Sequence, residues 1–105
     1  MVSFTDGTTT GVVTKDISPN LSTKILNVYV PSSFVWGTDA IIIDLTKYGA
    51  RYISGFLAFE NYTTEGSVVI AATGTTSVTT GTLTFTSTGS GAHTNSGNLI
   101  IFAYA

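Results

Sequence analysis

His93 is the single histidine of the chain, and its neighbours from Gly89 to Ser96 include no Asp, Glu, Cys or Lys. Nucleophilic catalysis needs a nucleophile, a base and a group that orients the base. Ser90 and Ser96 supply hydroxyls alone, so His93 reads as a solvated loop histidine. Gly89-Ser90-Gly91 resembles part of a phosphate-cradling loop, but neither the following Lys-Ser/Thr nor a helix to aim backbone amides is present. A flexible hairpin loop is the expectation there. Glu60 and Glu65 flank Asn61-Tyr62-Thr63-Thr64 and could face each other across a hairpin. Two such carboxylates could hydrolyse a glycoside or, with the Asn and Thr oxygens, ligate calcium; plain solvation of a turn is the simpler reading. Asp39 and Asp44 stand an odd number of positions apart on one extended segment, so they point to opposite faces. Asn20-Leu21-Ser22 and Asn61-Tyr62-Thr63 fit the N-glycosylation pattern by chance in a Ser/Thr-rich chain. No catalytic, metal or cofactor residue is assigned, and no enzymatic activity is expected.

The elements that must carry these residues read as strands. Gly81 to Gly89 is the clearest: Leu83 and Phe85 fall on one side, and Thr82, Thr84, Thr86 and Thr88 on the other. Such a threonine row suggests the flat hydroxyl array of an ice-binding surface, which needs several rows where the sequence shows one. Residues 1–11 read as a loose N-terminal arm or a short edge strand, anchored only by Val2 and Phe4. Residues 12–105 form a single β domain. Within it, Val12 to Ile17 is a short strand, Ser18-Pro19-Asn20 a turn, and Thr23 to Val30 a strand with Leu26, Val28 and Val30 on one face. Pro31 to Asp39 is a loop containing Phe34 and Trp36, which either plug one end of the core or stand exposed. Ala40 to Leu45 is a strand, Thr46 to Ala50 a turn or one helical turn, and Arg51 to Glu60 a strand in which Gly55 marks a bulge or a close approach. Glu65 to Thr73 follows as a strand, Gly74 to Gly81 as a turn region with a short strand at Ser77 to Thr79, and Asn98 to Ala105 as a central strand. About seven to nine short strands with turn signals between them describe an all-β fold, an antiparallel β-sandwich or jelly-roll-like barrel.

Composition bounds the partners. Four basic and six acidic residues give a net charge of −2 with no Lys or Arg run, so nucleic acid is not an expected partner. Cysteine is absent, which removes disulfides and thiolate metal sites. The first residues, Met1-Val2-Ser3-Phe4-Thr5-Asp6, lack a basic flank and an apolar run, so neither an export signal nor a membrane segment is expected. Charged residues make up only 10% of the chain, and twenty threonines and eleven serines take over the work of wetting its surface.

Four segments depart from apolar-in, polar-out alternation: Ile41 to Ile43, Phe56 to Phe59, Val68 to Ala72 and Leu99 to Tyr104. Either small residues such as Ala58, Ala71 and Ala103 sit outward, or one sheet face packs on another subunit or a larger assembly. Low charge favours the second reading, since interface cores are depleted of charge.

Taken together, the Met1 start, Thr8-Thr9-Thr10, the run Gly66 to Ala72, the segment Gly81 to Thr86 and the terminal Asn98 to Tyr104 give a chain that resembles the small β-sandwich decoration or cement proteins of tailed bacteriophage capsids. The resemblance implies a non-enzymatic structural protein, often a homo-oligomeric trimer, that is made in the host cytoplasm. It would bind the major capsid protein at capsomer junctions on the virion surface and reinforce the lattice, its arm ordering on binding. The competing expectation is a carbohydrate-binding module or a phage tail or fibre component that uses Trp36, Tyr48, Tyr52 and Tyr62 as exposed aromatics.

Overall fold

A computed structural model describes residues 2–18, 22–89 and 93–105. The Ser18-Pro19-Asn20 turn, the Asn20-Leu21-Ser22 pattern and the Ser90 and Gly91 part of the glycine-rich loop therefore fall partly or wholly outside the described residues. Eleven strands are present among the described residues: β1 (Ser3–Thr5), β2 (Val13–Asp16), β3 (Thr23–Val30), β4 (Val35–Trp36), β5 (Ala40–Asp44), β6 (Tyr52–Asn61), β7 (Val69–Ala71), β8 (Thr73–Thr79), β9 (Thr82–Thr88), β10 (His93–Thr94) and β11 (Gly97–Tyr104). Several are only two or three residues long, which is why the count exceeds the sequence expectation. One sheet runs β1-β5-β9-β8, a second runs β2-β3-β11-β6-β7, and β10 pairs with β4 at one end. The architecture is an all-β sandwich. Every pairing is antiparallel except β1 with β5, which is parallel.

Period-two alternation places the core. Leu26, Val28 and Val30 of β3, Leu99, Ile101 and Ala103 of β11, and Leu83 and Phe85 of β9 are fully buried between the sheets. Phe34 and Trp36 close one end, with Phe4 edge-on to Phe34 at 5.3 Å and Phe34 edge-on to Trp36 at 5.0 Å. Trp36 is 2% exposed and its indole N–H donates to the Asn95 carbonyl at 2.7 Å, so the plug is the reading that holds.

The N-terminal segment is the short edge strand rather than the loose arm. Phe4 enters the core, and the Asp6 carboxylate accepts from the Thr14 amide at 3.0 Å and from the Tyr48 hydroxyl. Asp39, also buried, accepts from the Val2 amide at 3.0 Å and the Val35 amide at 2.9 Å. These bonds supply the order that the segment's few apolar side chains cannot.

Residues Thr73 to Thr79 form a full strand where the sequence suggests mostly turn. Gly74 lies inside it because a Cβ there would stand 2.3 Å from the Phe85 ring; the glycine marks close packing, not chain reversal. The expected bulge in β6 is present: Phe102 pairs with Gly55 and Ala103 with Ile53, leaving Ser54 as the extra residue. The expected helical turn is a single 3-10 turn, Leu45–Tyr48, opened by the Asp44 carboxylate accepting from the Thr46 amide at 3.1 Å. The Thr46 hydroxyl donates to the same carboxylate at 2.5 Å, and this bond, followed by the amide's, holds the Asp44 carboxyl below its usual range.

Candidate functional site

Residues paired across a sheet share a face, so the register alone assigns the outer surfaces. On the five-stranded sheet one outward row runs Lys15, Asn27, Ile100, Leu57, and the next runs Val13, Tyr29, Asn98, Phe59, Ala71. Ile25 and Phe102 form a third row with Gly55, and Tyr104 meets Tyr52 in a fourth, their rings 5.4 Å apart. Tyr52, Leu57, Val13 and Val69 are half exposed, and Tyr29 and Tyr104 nearly so. Lys15 is the one charged side chain among the described residues of these rows, and Asn98 donates to Asn27 at 3.2 Å, so the two amides partly satisfy each other. The outer surface is thus mostly apolar and aromatic, interrupted by Lys15 at the β2 edge and by the Asn27 and Asn98 amides.

The four-stranded sheet is opposite in character. Thr82, Thr84, Thr86 and Thr88 of β9 stand in register with Thr79, Ser77, Thr75 and Thr73 of β8. Two hydroxyl rows are therefore present where the sequence shows one. The sandwich has one hydroxylated flank and one greasy flank, a division that single-strand alternation does not reveal.

At the end where the sheets part, a cleft of about 300 Å³ is bounded by Glu60, Tyr62, Ile70, His93 and the edge of Trp36. Glu60 occupies a core-facing position of β6, in step with Phe56 and Ala58, and is 4% exposed. Its Oε2 accepts from Asn95 Nδ2 at 2.6 Å and lies 2.5 Å from His93 Nδ1. His93 also meets the Tyr62 ring edge-on at 5.7 Å. His93 is exposed, as expected, but it stands on β10 rather than in a loop, and its ring reaches a buried carboxylate 33 residues away in sequence. A charged residue at an inward position was the signal for this contact, because a buried carboxylate requires partners.

The Glu60 and Glu65 pair does not form. Glu60 is in register with Ile70, while Glu65 is exposed in the connection between β6 and β7. Opposed carboxylates for glycoside hydrolysis are therefore missing, and no group of three or more metal-ligating side chains exists among the described residues. Among the described residues no Ser or Thr hydroxyl bonds to His93, so the cleft presents an acceptor and an imidazole to a polar ligand without a hydroxyl joined to that imidazole among those residues. Asp39 and Asp44 do separate, Asp39 into a buried network and Asp44 onto the 3-10 turn. Of the four aromatics expected at the surface, Tyr52 and Tyr62 are exposed, Tyr48 packs against the core and Trp36 is buried. The two exposed rings stand on different sites and make no common stacking platform. Comparison of the chain with protein-family models, with curated proteins and with solved structures finds no match.

Proposed function

We propose that this chain is a non-enzymatic structural protein that decorates the capsid of a tailed bacteriophage, docking on the major capsid protein through the outer face of the five-stranded sheet. The observation that carries the reading is that face: five strands wide, aromatic and aliphatic, with Lys15 as its one charge among the described residues. Burying such a surface returns about 25 cal/mol per Å² of apolar area, and this sheet offers half-exposed Leu57, Tyr52 and Tyr29 for burial. Reinforcement would then be mechanical, through added contacts across capsomer boundaries that raise the cost of separating them. The test is co-sedimentation with intact capsid particles. Binding at a fixed stoichiometry that Leu57→Lys and Ile100→Lys abolish, with the fold intact, supports the proposal; wild-type chain left in the supernatant overturns it.

A carbohydrate-binding role rests on a separate observation, the cleft in which Tyr62, His93 and the Glu60 carboxylate converge. Glycan binding lost in Tyr62→Ala, without particle association, would favour that role.

A further inference from the structure

The five-stranded sheet ends in two unlike edges. β2 carries Lys15 and Asp16, the charges with which an edge strand discourages further pairing. β7, Val69-Ile70-Ala71, has no charge, no proline and no bulge, and all three residues are exposed. Its hydrogen-bonding direction follows from its neighbours. The Tyr62 amide donates to the Val68 carbonyl and the Ala72 amide to the Ala58 carbonyl, both at 2.8 Å, and Ile70 is in register with Glu60. Residues 68, 70 and 72 therefore turn their backbone groups toward β6, and the N–H and C=O of Val69 and Ala71 point away from the sheet.

We propose that β7 is a self-pairing edge: two copies of the chain join β7 to β7, antiparallel, about a two-fold axis through Ile70. In that register Val69 of each copy opposes Ala71 of the other, and the four outward groups on each side meet their complements in four hydrogen bonds. No other register centred on this strand uses them all. The two Ile70 side chains form the close, non-hydrogen-bonded pair on the axis, and Val69 packs on Ala71 on the outer face. An isologous contact needs a surface complementary to itself, which an uncharged apolar strand provides. Antiparallel pairing also sends the two Glu65 carboxylates to opposite ends of the joint. Two five-stranded sheets become one of ten strands, and their apolar outer faces become continuous. This inference does not depend on a capsid partner.

The free protein at ~100 µM, enough to populate any dimer tighter than about 10 µM, should sediment at twice the 11.0 kDa of one chain. Ala71→Pro removes an amide that β6 does not use, so the variant should keep its thermal midpoint and sediment as a single chain. The wild type is free of cysteine, which permits a second arm. Ile70→Cys should be captured as a disulfide dimer by diamide, since paired residues on the axis stand about 4.5 Å apart at Cα. Ser67→Cys, off the axis, should remain a monothiol. A wild-type mass of one or three chains, a dimer that persists in folded Ala71→Pro, or equal cross-linking of both cysteine variants overturns the pairing. Should Ala71→Pro fail to fold, the cysteine pair decides. Loss of particle binding with the dimer intact would count against the capsid proposal alone.

Discussion

Asp39 shows how one buried side chain can hold a terminus in place. Its two oxygens take the amides of Val2 and Val35, and its carbonyl takes the Ser87 amide at 3.0 Å and hydroxyl at 2.7 Å. Asp39→Ala leaves two amides without acceptors and should lower stability by about 3 kcal/mol, measured by urea unfolding. Tyr48 gives a pH signature. Burial, reinforced by its bond to Asp6, pushes its hydroxyl from 10.0 up to about 12. The unfolded chain begins to release this proton near pH 10 while the folded chain keeps it, so stability is whole below that pH and falls as pH rises toward about 12. Urea midpoints should therefore drop between about pH 10 and about pH 12 by more in the wild type than in Tyr48→Phe.

Among the elements, the β8 to β9 hairpin carries visible strain. Thr80, a β-branched residue, sits at φ 52° in a two-residue turn with Gly81 at φ 77°, a conformation that suits Asn far better. Thr80→Asn should raise the unfolding free energy by about 1 kcal/mol in denaturant titration. Strand β11 has the reverse sensitivity. A Cβ on Gly97 would stand 2.2 Å from the Phe59 carbonyl oxygen and 2.6 Å from the Trp36 ring. Gly97→Ala should cost about 2 to 3 kcal/mol and loosen the aromatic plug, read as a fall in thermal midpoint together with a red shift of Trp36 fluorescence. Strands with clean alternation, β3 and β9, are legible from the sequence because half-burial imposes period two on their side chains. Strand β8 is legible only at Ser77 to Thr79, since the glycine and polar residues before them resemble a turn until the Phe85 ring is seen against Gly74.

For the whole molecule, the decisive feature is the inequality of the two outer faces. Charging the apolar face should leave folding intact, because Leu57 and Ile100 point away from the core. Dye binding by a hydrophobic probe such as ANS should fall in a Leu57→Lys, Ile100→Lys double variant whose thermal midpoint stays within a few degrees of wild type. The same experiment on the hydroxyl flank, for instance with Thr84→Lys, should leave dye binding unchanged.

From composition and periodicity alone came the all-β class, the main core strands, the excess of apolar surface over one interior layer and the lack of clustered charge for nucleic acid. These are properties of local chemistry, set by which side chains alternate and which cannot be wetted. Only the tertiary structure decided that three of the four apolar segments fall in one sheet, that the N-terminal residues pair in parallel with β5, and that Glu60 meets His93 rather than Glu65. The reason is that strand order and register join residues tens of positions apart, and a single chain's spacing carries no record of which strand lies beside which.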